Sequence, residues 1–286
     1  MIQDIFQQKK TTLSFEVFPP KKADEFEAVY QTLDQLSQLG PDFISVTYGA
    51  GGSRSKKTIE ISSYIQNTLH IESLSHMTCV GNTRQDIREI CAQLDAAGLR
   101  NVLALRGDRP QYMTDEQFNA REFTYATDLV KFLKEETPIQ IAGACYPEKH
   151  FEAASPESDL AHLKEKVSAG CSFLITQLFF DNRFFYQFRE RCQKAGIEIP
   201  ICAGIMPITS AKQLGTTVTL SGSSVPKTLS DLIAKYGDAP DDMRKAGIDY
   251  AICQINDLIA NDVSGIHIYT MNKPRTAKEI VSSIER

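Results

Sequence analysis

The sequence predicts an α/β fold of the (β/α)8 type, a TIM barrel, formed as one catalytic domain over residues 1–286. Three observations predict it. Eight short β-branched runs recur along the chain, each followed by a polar loop and most by an amphipathic helical pattern. Four of those patterns stop at a glycine just before the next strand, at Gly40, Gly98, Gly170 and Gly196, where glycine supplies the left-handed conformation that ends a helix. The length of 286 residues suits a barrel of eight βα units, which takes about 250 residues. Strand then helix, repeated, implies parallel strands with right-handed crossovers. Eight units favour closure over the alternative, a doubly wound open sheet.

The strand-like runs are 13–18, 43–47, 74–79, 102–105, 139–145, 173–178, 199–203 and 265–269. Between the first two, the pattern over 24–39 sets Phe26, Val29, Tyr30, Leu33 and Leu36 at helical spacing. A second helix, 83–97, opens on a threonine cap at Thr83. Segments 158–169 and 182–195 repeat the scheme. Two segments break the rhythm. Residues 108–123 form a long polar loop after the fourth strand, a candidate lid, because loops after strands build the active site of a barrel. Residues 215–242, rich in Thr, Ser, Gly and Pro, read as irregular and precede an extra helix over 240–260. No linker or shift in composition divides the chain.

Composition excludes several function classes. An apolar content of 42% is ample for one core, and 23% charged residues is ordinary for a globular surface. A net charge of −5 argues against nucleic-acid binding. No apolar run approaches the roughly 18 residues of a membrane span. Residues 1–10 are polar and helix-like, without the apolar core of a secretory signal. The seven cysteines, Cys79, Cys91, Cys145, Cys171, Cys192, Cys202 and Cys253, are odd in number, and no pair has CxxC spacing. They read as buried reduced thiols in the cytoplasm, with neither disulfide framework nor zinc site.

The first strand carries the most information. In Ser14-Phe15-Glu16-Val17-Phe18, Leu13, Phe15 and Val17 share one face while Ser14, Glu16 and Phe18 share the other. If the apolar face packs on helices, Glu16 points into the barrel near the strand's C-terminal end. A carboxylate there is either paired with an inward Arg or Lys or has a raised pKa and serves as a general acid. The second strand ends in Thr47-Tyr48-Gly49-Ala50-Gly51-Gly52-Ser53-Arg54. Its glycines turn backbone N–H groups toward a ligand or simply form a tight turn. It is not a dinucleotide fingerprint, since Arg54 holds the third glycine position, and no GxxxxGK occurs.

The fourth strand delivers Arg106-Gly107-Asp108-Arg109 to one rim. Arginine suits phosphate or carbonyl oxygen and aspartate suits ring N–H groups; a rim salt-bridge network is the other reading. His76, Tyr146, His150 and Gln177 come from strands three, five and six or just beyond them. The five histidines show no metal-ligand spacing, and no Ser or Cys sits in a nucleophile elbow. Acids, tyrosines, histidines and a glutamine at strand ends suit acid-assisted chemistry on a bound cofactor.

Together the segments 14–21, 45–52, 105–108, 145–150, 176–181 and 267–272 resemble, in order, the signature segments of the methylenetetrahydrofolate reductase family, over almost the whole chain. The resemblance implies a (β/α)8 barrel that binds FAD without a Rossmann domain. It implies that NADH or NADPH reduces the flavin, leaves, and is replaced in a ping-pong sequence by methylenetetrahydrofolate, which becomes 5-methyltetrahydrofolate for methionine synthesis. Glu16 matches the family's general acid, which opens the imidazolidine ring. Asp108 matches an aspartate that holds the pterin and influences the flavin. Gln177 matches a glutamine shared by folate and nicotinamide, and Thr47 a nicotinamide contact.

For FAD the resemblance implies Tyr48, Ala50, His76, Arg106, Gly107, Asp108, Tyr125, Ala126, Tyr146 and His150, followed by Ala153, Asp159, His162 and Lys166. For folate it adds Gln213 and Lys273. Lys273 stands where the family often has an arginine, which removes the basis for bidentate carboxylate binding. The Thr216-Thr217 pair stands where an aromatic is often found. The resemblance further implies a homo-oligomer, no metal, and no C-terminal regulatory domain of the kind that longer relatives carry. Two alternatives stand beside it: another FAD barrel oxidoreductase, of proline-dehydrogenase type, and a non-catalytic flavin or folate carrier.

Overall fold

The computed structural model of the chain describes residues 1–20, 22, 25–48 and 54–285. Eight strands, β1 (Thr12–Val17), β2 (Phe43–Val46), β3 (Glu72–Thr78), β4 (Asn101–Leu105), β5 (Gln140–Cys145), β6 (Cys171–Thr176), β7 (Ile201–Ile205) and β8 (Gly265–Tyr269), form a closed barrel in chain order. Every neighbouring pair is parallel, and β8 closes on β1 with Glu16 opposite Tyr269. All eight predicted runs are strands, with ends shifted by up to about two residues, as expected where strand ends fray into loops.

The helices are α1 (Ile2–Gln8), α2 (Phe26–Ser37), α3 (Arg54–Ser63), continued by a π-helical turn at Tyr64–Thr68, α4 (Arg84–Ala96), α5 (Asp115–Asn119) and α6 (Ala126–Glu136). They continue with α7 (Pro156–Ser168), α8 (Asn182–Lys194), α9 (Ala211–Ser221), α10 (Lys227–Tyr236), α11 (Pro240–Ala260) and α12 (Pro274–Val281). Thr83 caps α4 as expected, its hydroxyl accepting from the Asp86 amide. The outward face of β1 is as expected too. Leu13, Phe15 and Val17 are buried in one cluster with Val29, Leu33 and Leu36 of α2. Ser14 and Glu16 therefore face the barrel interior.

The segment 215–242 differs from its irregular reading. It contains the end of α9 and the whole of α10. Thr216 and Thr219 return their hydroxyls to the Lys212 and Gly215 carbonyls, 3.2 and 2.9 Å away, so their polar groups stay satisfied inside the helix. Leu214 and Leu229 pack with Leu178, Phe180, Ile208 and Met243, and this tertiary burial outweighs the poor helix propensity of the threonines. The α10 positions Leu229, Leu232, Ile233 and Tyr236 do follow helical spacing; the surrounding composition obscured it. A second correction concerns the thiols. All seven are free and six are buried, but Cys253 on α11 is exposed.

Helix α1 plugs the end of the barrel where the strands begin. Ile2 is buried beside Phe43, Leu74, Leu103 and Phe173, with Phe6 packed against the same cluster and its ring 5.2 Å from that of Phe173. Two of the helix's free N-terminal amides are satisfied from the barrel: Ile2 N–H donates to Asn101 Oδ1 (3.3 Å) and Gln3 N–H to Gln140 Oε1 (3.0 Å). The opposite, C-terminal rim stays open, which is where barrel enzymes place their chemistry.

Gly247 of α11 approaches the loop after β7 so closely that an added Cβ would lie 1.7 Å from the Ile208 carbonyl oxygen. Alanine for glycine inside a helix ordinarily stabilises by about 1 kcal/mol. Gly247→Ala is expected to reverse that sign and cost about 3 kcal/mol or more, seen as a lower urea midpoint. A midpoint at or above the wild-type value would show that α11 is not seated there.

Candidate active site

At the C-terminal rim a cavity of about 630 Å³ is lined by Glu16, Thr47, Tyr48, His76, Arg106, Gly107, Asp108, Tyr146, His150 and Gln177, among others. Glu16 forms part of its floor and is only 8% exposed. Its Oε2 lies 3.5 Å from His76 Nε2 and 3.7 Å from His267 Nε2. Among the described residues no lysine or arginine pairs with it; of the two readings, the cationic bridge is not found, and imidazoles face the carboxylate. His267 is fully buried, with Nδ1 2.8 Å from the Ser14 hydroxyl and Nε2 3.4 Å from the Ser45 hydroxyl. Phe43 stacks against its ring at 6.1 Å.

Burial lowers the His76 pKa to about 4, against the opposing pull of Glu16. The ring is therefore neutral at pH 7. Its Nε2 is buried and makes no hydrogen bond among the described residues. An orphaned nitrogen in a cavity wall is a group waiting for a ligand atom. Tyr269, on the same face of β8 as His267, donates its hydroxyl to the Thr176 carbonyl at 2.7 Å and is held protonated by burial.

Gly107 turns the chain after β4 with φ +82°, and an added Cβ would meet Thr78 at 2.9 Å. Only glycine suits that position, and it delivers the exposed carboxylate of Asp108 to the cavity. Gln177 follows β6; its amide binds the Cys145 carbonyl at 2.7 Å and its side-chain oxygen accepts from the Leu178 amide at 2.9 Å. That leaves its NH2 group to face the cavity. The connection 108–123, read from sequence as a loop throughout but containing the short Thr114-capped helix α5, walls one side through Arg109, Pro110 and Gln111. Arg109 braces it by donating to the Met113 carbonyl at 2.7 and 3.0 Å and stacking on Phe118.

A second chamber of about 490 Å³ adjoins the first and shares Leu105, Arg106, Ala144, Tyr146 and His150 with it. Tyr125, Ala126, Ala153, Asp159, His162 and Lys166 all line this chamber. Burial pushes Tyr146 up to about 12, and its ring meets His150 edge-on at 4.7 Å. Asp159 accepts the His150 amide at 3.0 Å, fixing the loop that carries that ring. Tyr125 and His162 stack at 6.4 Å as an exposed aromatic platform. Lys166 on α7 is half-buried. Its Nζ donates to the Ala144 carbonyl at 2.5 Å, and burial lowers its pKa. Arg106 sits where the chambers meet, its guanidinium forked onto the Glu152 carboxylate.

Three expected positions stand apart. Gln213 spends its carboxamide on the loop after β7, accepting from Thr209 at 2.9 and 3.0 Å and donating to the Pro207 carbonyl at 3.0 Å; it lines neither chamber. Lys273 is exposed at the start of α12 and lines neither. Ala50 and the glycine-rich turn 49–53 lie outside the described residues. Conversely, His267, Tyr269 and Glu152 were not singled out from the sequence. His267 and Tyr269 share the inward face of β8 by period-two spacing, the signal that would have found them; Glu152 offers no such pattern.

The two joined chambers fit an elongated two-part cofactor. One offers a hydrogen-bonding wall and an orphaned imidazole for a ring system. The other offers Arg106 and Lys166 for phosphate and an aromatic platform for a base. A closed parallel barrel with such a site at its C-terminal rim defines a barrel enzyme.

The family model described as methylenetetrahydrofolate reductase matches residues 1–285. The chain is 35% identical to the 5,10-methylenetetrahydrofolate reductase of Pectobacterium carotovorum subsp. carotovorum, covering 97% of this chain and 91% of the relative. It is 33% identical to the enzyme of the same name from Escherichia coli (strain K12), covering 97% and 92%. Against methylenetetrahydrofolate reductase (NADH) 1 of Arabidopsis thaliana the identity is 35%, over 99% of this chain and 50% of the longer relative. Among solved structures, an uncharacterized Clostridium thermocellum protein that binds two copies of 5-methyl-5,6,7,8-tetrahydrofolic acid superimposes with a TM-score of 0.65 at 14% identity, over 98% of this chain and 95% of that one. At that identity the likeness speaks for the barrel alone. The chain belongs to the methylenetetrahydrofolate reductase family, whose members are oxidoreductases.

His76 gives the site a pH signature. Unfolded, its imidazole titrates near 6.5; folded, near 4. Because the folded pKa is depressed, stability is full above pH 6.5 and falls as pH drops toward 4, by about 3 kcal/mol in all. Urea unfolding of wild type and His76→Gln at pH 7 and pH 4.5 measures this. The variant should show a shallower loss; equal losses would place a charged imidazole in the native state.

Proposed function

We propose that the chain reduces 5,10-methylenetetrahydrofolate to 5-methyltetrahydrofolate, with FAD as cofactor and NADH or NADPH as hydride donor, through one catalytic domain spanning residues 1–286. The observation that carries this reading is the buried carboxylate of Glu16 on the cavity floor, faced by two imidazoles and by no cation among the described residues. Binding alone gives no reason to bury an acid there; proton transfer does.

The substrate's methylene bridges two nitrogens of a five-membered ring and is a poor hydride acceptor. A proton on one of those nitrogens breaks its bond to the methylene carbon and leaves an iminium cation, to which a hydride adds readily. The balance is one folate, one NAD(P)H and one proton giving methyltetrahydrofolate and NAD(P)+. Bound in the joined chambers, a flavin supplies the two-electron relay between nicotinamide and folate.

Glu16 gives the proton to the ring nitrogen. His76, neutral at pH 7, leaves Glu16 without a fixed cationic partner, so the carboxyl can cycle between protonated and charged forms. Asp108 holds the pterin by hydrogen bonds and its negative charge favours the transient cation. Gln177 offers its free NH2 group to whichever ligand occupies the cavity, folate or nicotinamide. Tyr48, His76, Arg106, Gly107, Tyr146 and His150 hold the cofactor at the first chamber, and Tyr125, Ala126, Ala153, Asp159, His162 and Lys166 along the second. Thr47 faces the nicotinamide. The name of the Arabidopsis relative favours NADH over NADPH.

The purified protein should show a yellow flavin spectrum, bleach under anaerobic NADH, and recover its colour when methylenetetrahydrofolate is added. Bleaching without recovery would sink the reading. Glu16→Gln should leave the NADH step within about threefold of wild type but slow recovery by about 100-fold or more, the size of a general-acid contribution. Parallel losses in both steps would make Glu16 a structural residue.

A further inference from the structure

The end of β1 is held by a device that the chemistry assigned above does not use. The β1–β8 ladder finishes at the pair Glu16–Tyr269. Beyond it the chain would leave the Phe18 amide and carbonyl without strand partners. Asn272 fills that gap. Its Oδ1 accepts from Phe18 N–H at 2.9 Å, and its Nδ2 donates to the Phe18 carbonyl, also at 2.9 Å. The carboxamide thus copies a peptide unit and extends the ladder past Glu16. Thr270 adds a second grip, its hydroxyl donating to the Glu16 carbonyl at 2.6 Å.

The backbone that presents Asn272 is costly. Met271 and Asn272 both adopt left-handed conformations, at φ +52° and +53°. Two consecutive non-glycine residues in that region are strained, and strain persists where the surrounding structure over-determines it, commonly at functional sites. Met271 is 40% exposed, so the turn is not maintained to bury its side chain.

We infer that Asn272 is a positioning residue, clamping the backbone on the C-terminal side of Glu16 so that the carboxyl stays aimed at the folate ring nitrogen. Resting on the proposed reaction, this deepens it: the acid's aim comes from the strand that closes the barrel. Reaction at Glu16 demands sub-ångström placement, whereas the nicotinamide step makes no use of that carboxyl.

Asn272→Gly tests this in the FAD-loaded protein, because glycine takes the left-handed conformation freely and removes only the clamp. Recovery of colour with methylenetetrahydrofolate is expected to slow at least about tenfold, with NADH bleaching within about twofold of wild type. The Phe18 amide should exchange hydrogen at least about tenfold faster, since its acceptor is gone. Asn272→Asp, which keeps the acceptor for Phe18 N–H and loses the donor, should fall between. Recovery within twofold of wild type, a parallel fall in both steps, or unchanged Phe18 exchange would each overturn the inference. Should Glu16→Gln recover colour as wild type does, the proposed reaction fails instead, and Phe18 exchange still decides whether the clamp exists.

Discussion

A carboxylate enclosed by a barrel, with only imidazoles near it among the described residues, constrains the rest of this molecule. Glu16 is buried on the strand where the barrel closes, and the residues around it come from three strands. His76 arrives on β3, His267 and Tyr269 on β8, and Ser14 from two residues upstream. A lysine or arginine at this place would lock the carboxylate in its charged form. His76 and His267 face it instead, at 3.5 and 3.7 Å, and the serines hold His267 rather than the carboxylate. The dry helix-facing side of β1, with Phe15 and Val17 wholly buried, anchors the strand so that these weak partners suffice.

The two chambers divide the remaining work. The first is floored by Glu16 and walled by Asp108, Tyr146 and Gln177; the second mixes Arg106 and Lys166 with Glu152 and Asp159 and is rimmed by the Tyr125 and His162 rings. Arg106 stands between them with its fork engaged by Glu152, so an anion binding there would displace a carboxylate rather than desolvate a free guanidinium. Tyr146 and His150, on the shared wall, are kept uncharged near neutrality by burial, which leaves that wall dipolar and suited to a neutral ring system.

Much of this was legible in the sequence, and the exceptions have physical reasons. The alternation in β1 fixed which way Glu16 points, because a period of two leaves only two faces to choose between. The glycine stops fell where expected, with Gly40, Gly98, Gly170 and Gly196 all at positive φ. Helix α10 was obscured because Thr, Ser and Pro around it carry loop-like propensity, while its stability comes from packing on Leu178, Phe180 and Met243. The histidine partners of Glu16 are a tertiary fact: two residues 191 positions apart, His76 and His267, meet only when the barrel closes. Gln213 illustrates the converse. The family resemblance implied a folate contact, whereas its carboxamide is engaged by the loop after β7.

The register of β1 against β8 has a further bearing, on when the site comes into being. Ser14 pairs with His267 across 253 residues, and Thr270 and Asn272 grip the same strand from still farther along the chain. During synthesis β1 and its inward side chain emerge early, yet the barrel around them is complete only once β8 has left the ribosome. Contacts of such long sequence separation form late and slowly. The nascent protein therefore carries Glu16 in water for most of its elongation. Its surroundings are complete only when β8 closes on β1, so the same event that completes the fold completes the site.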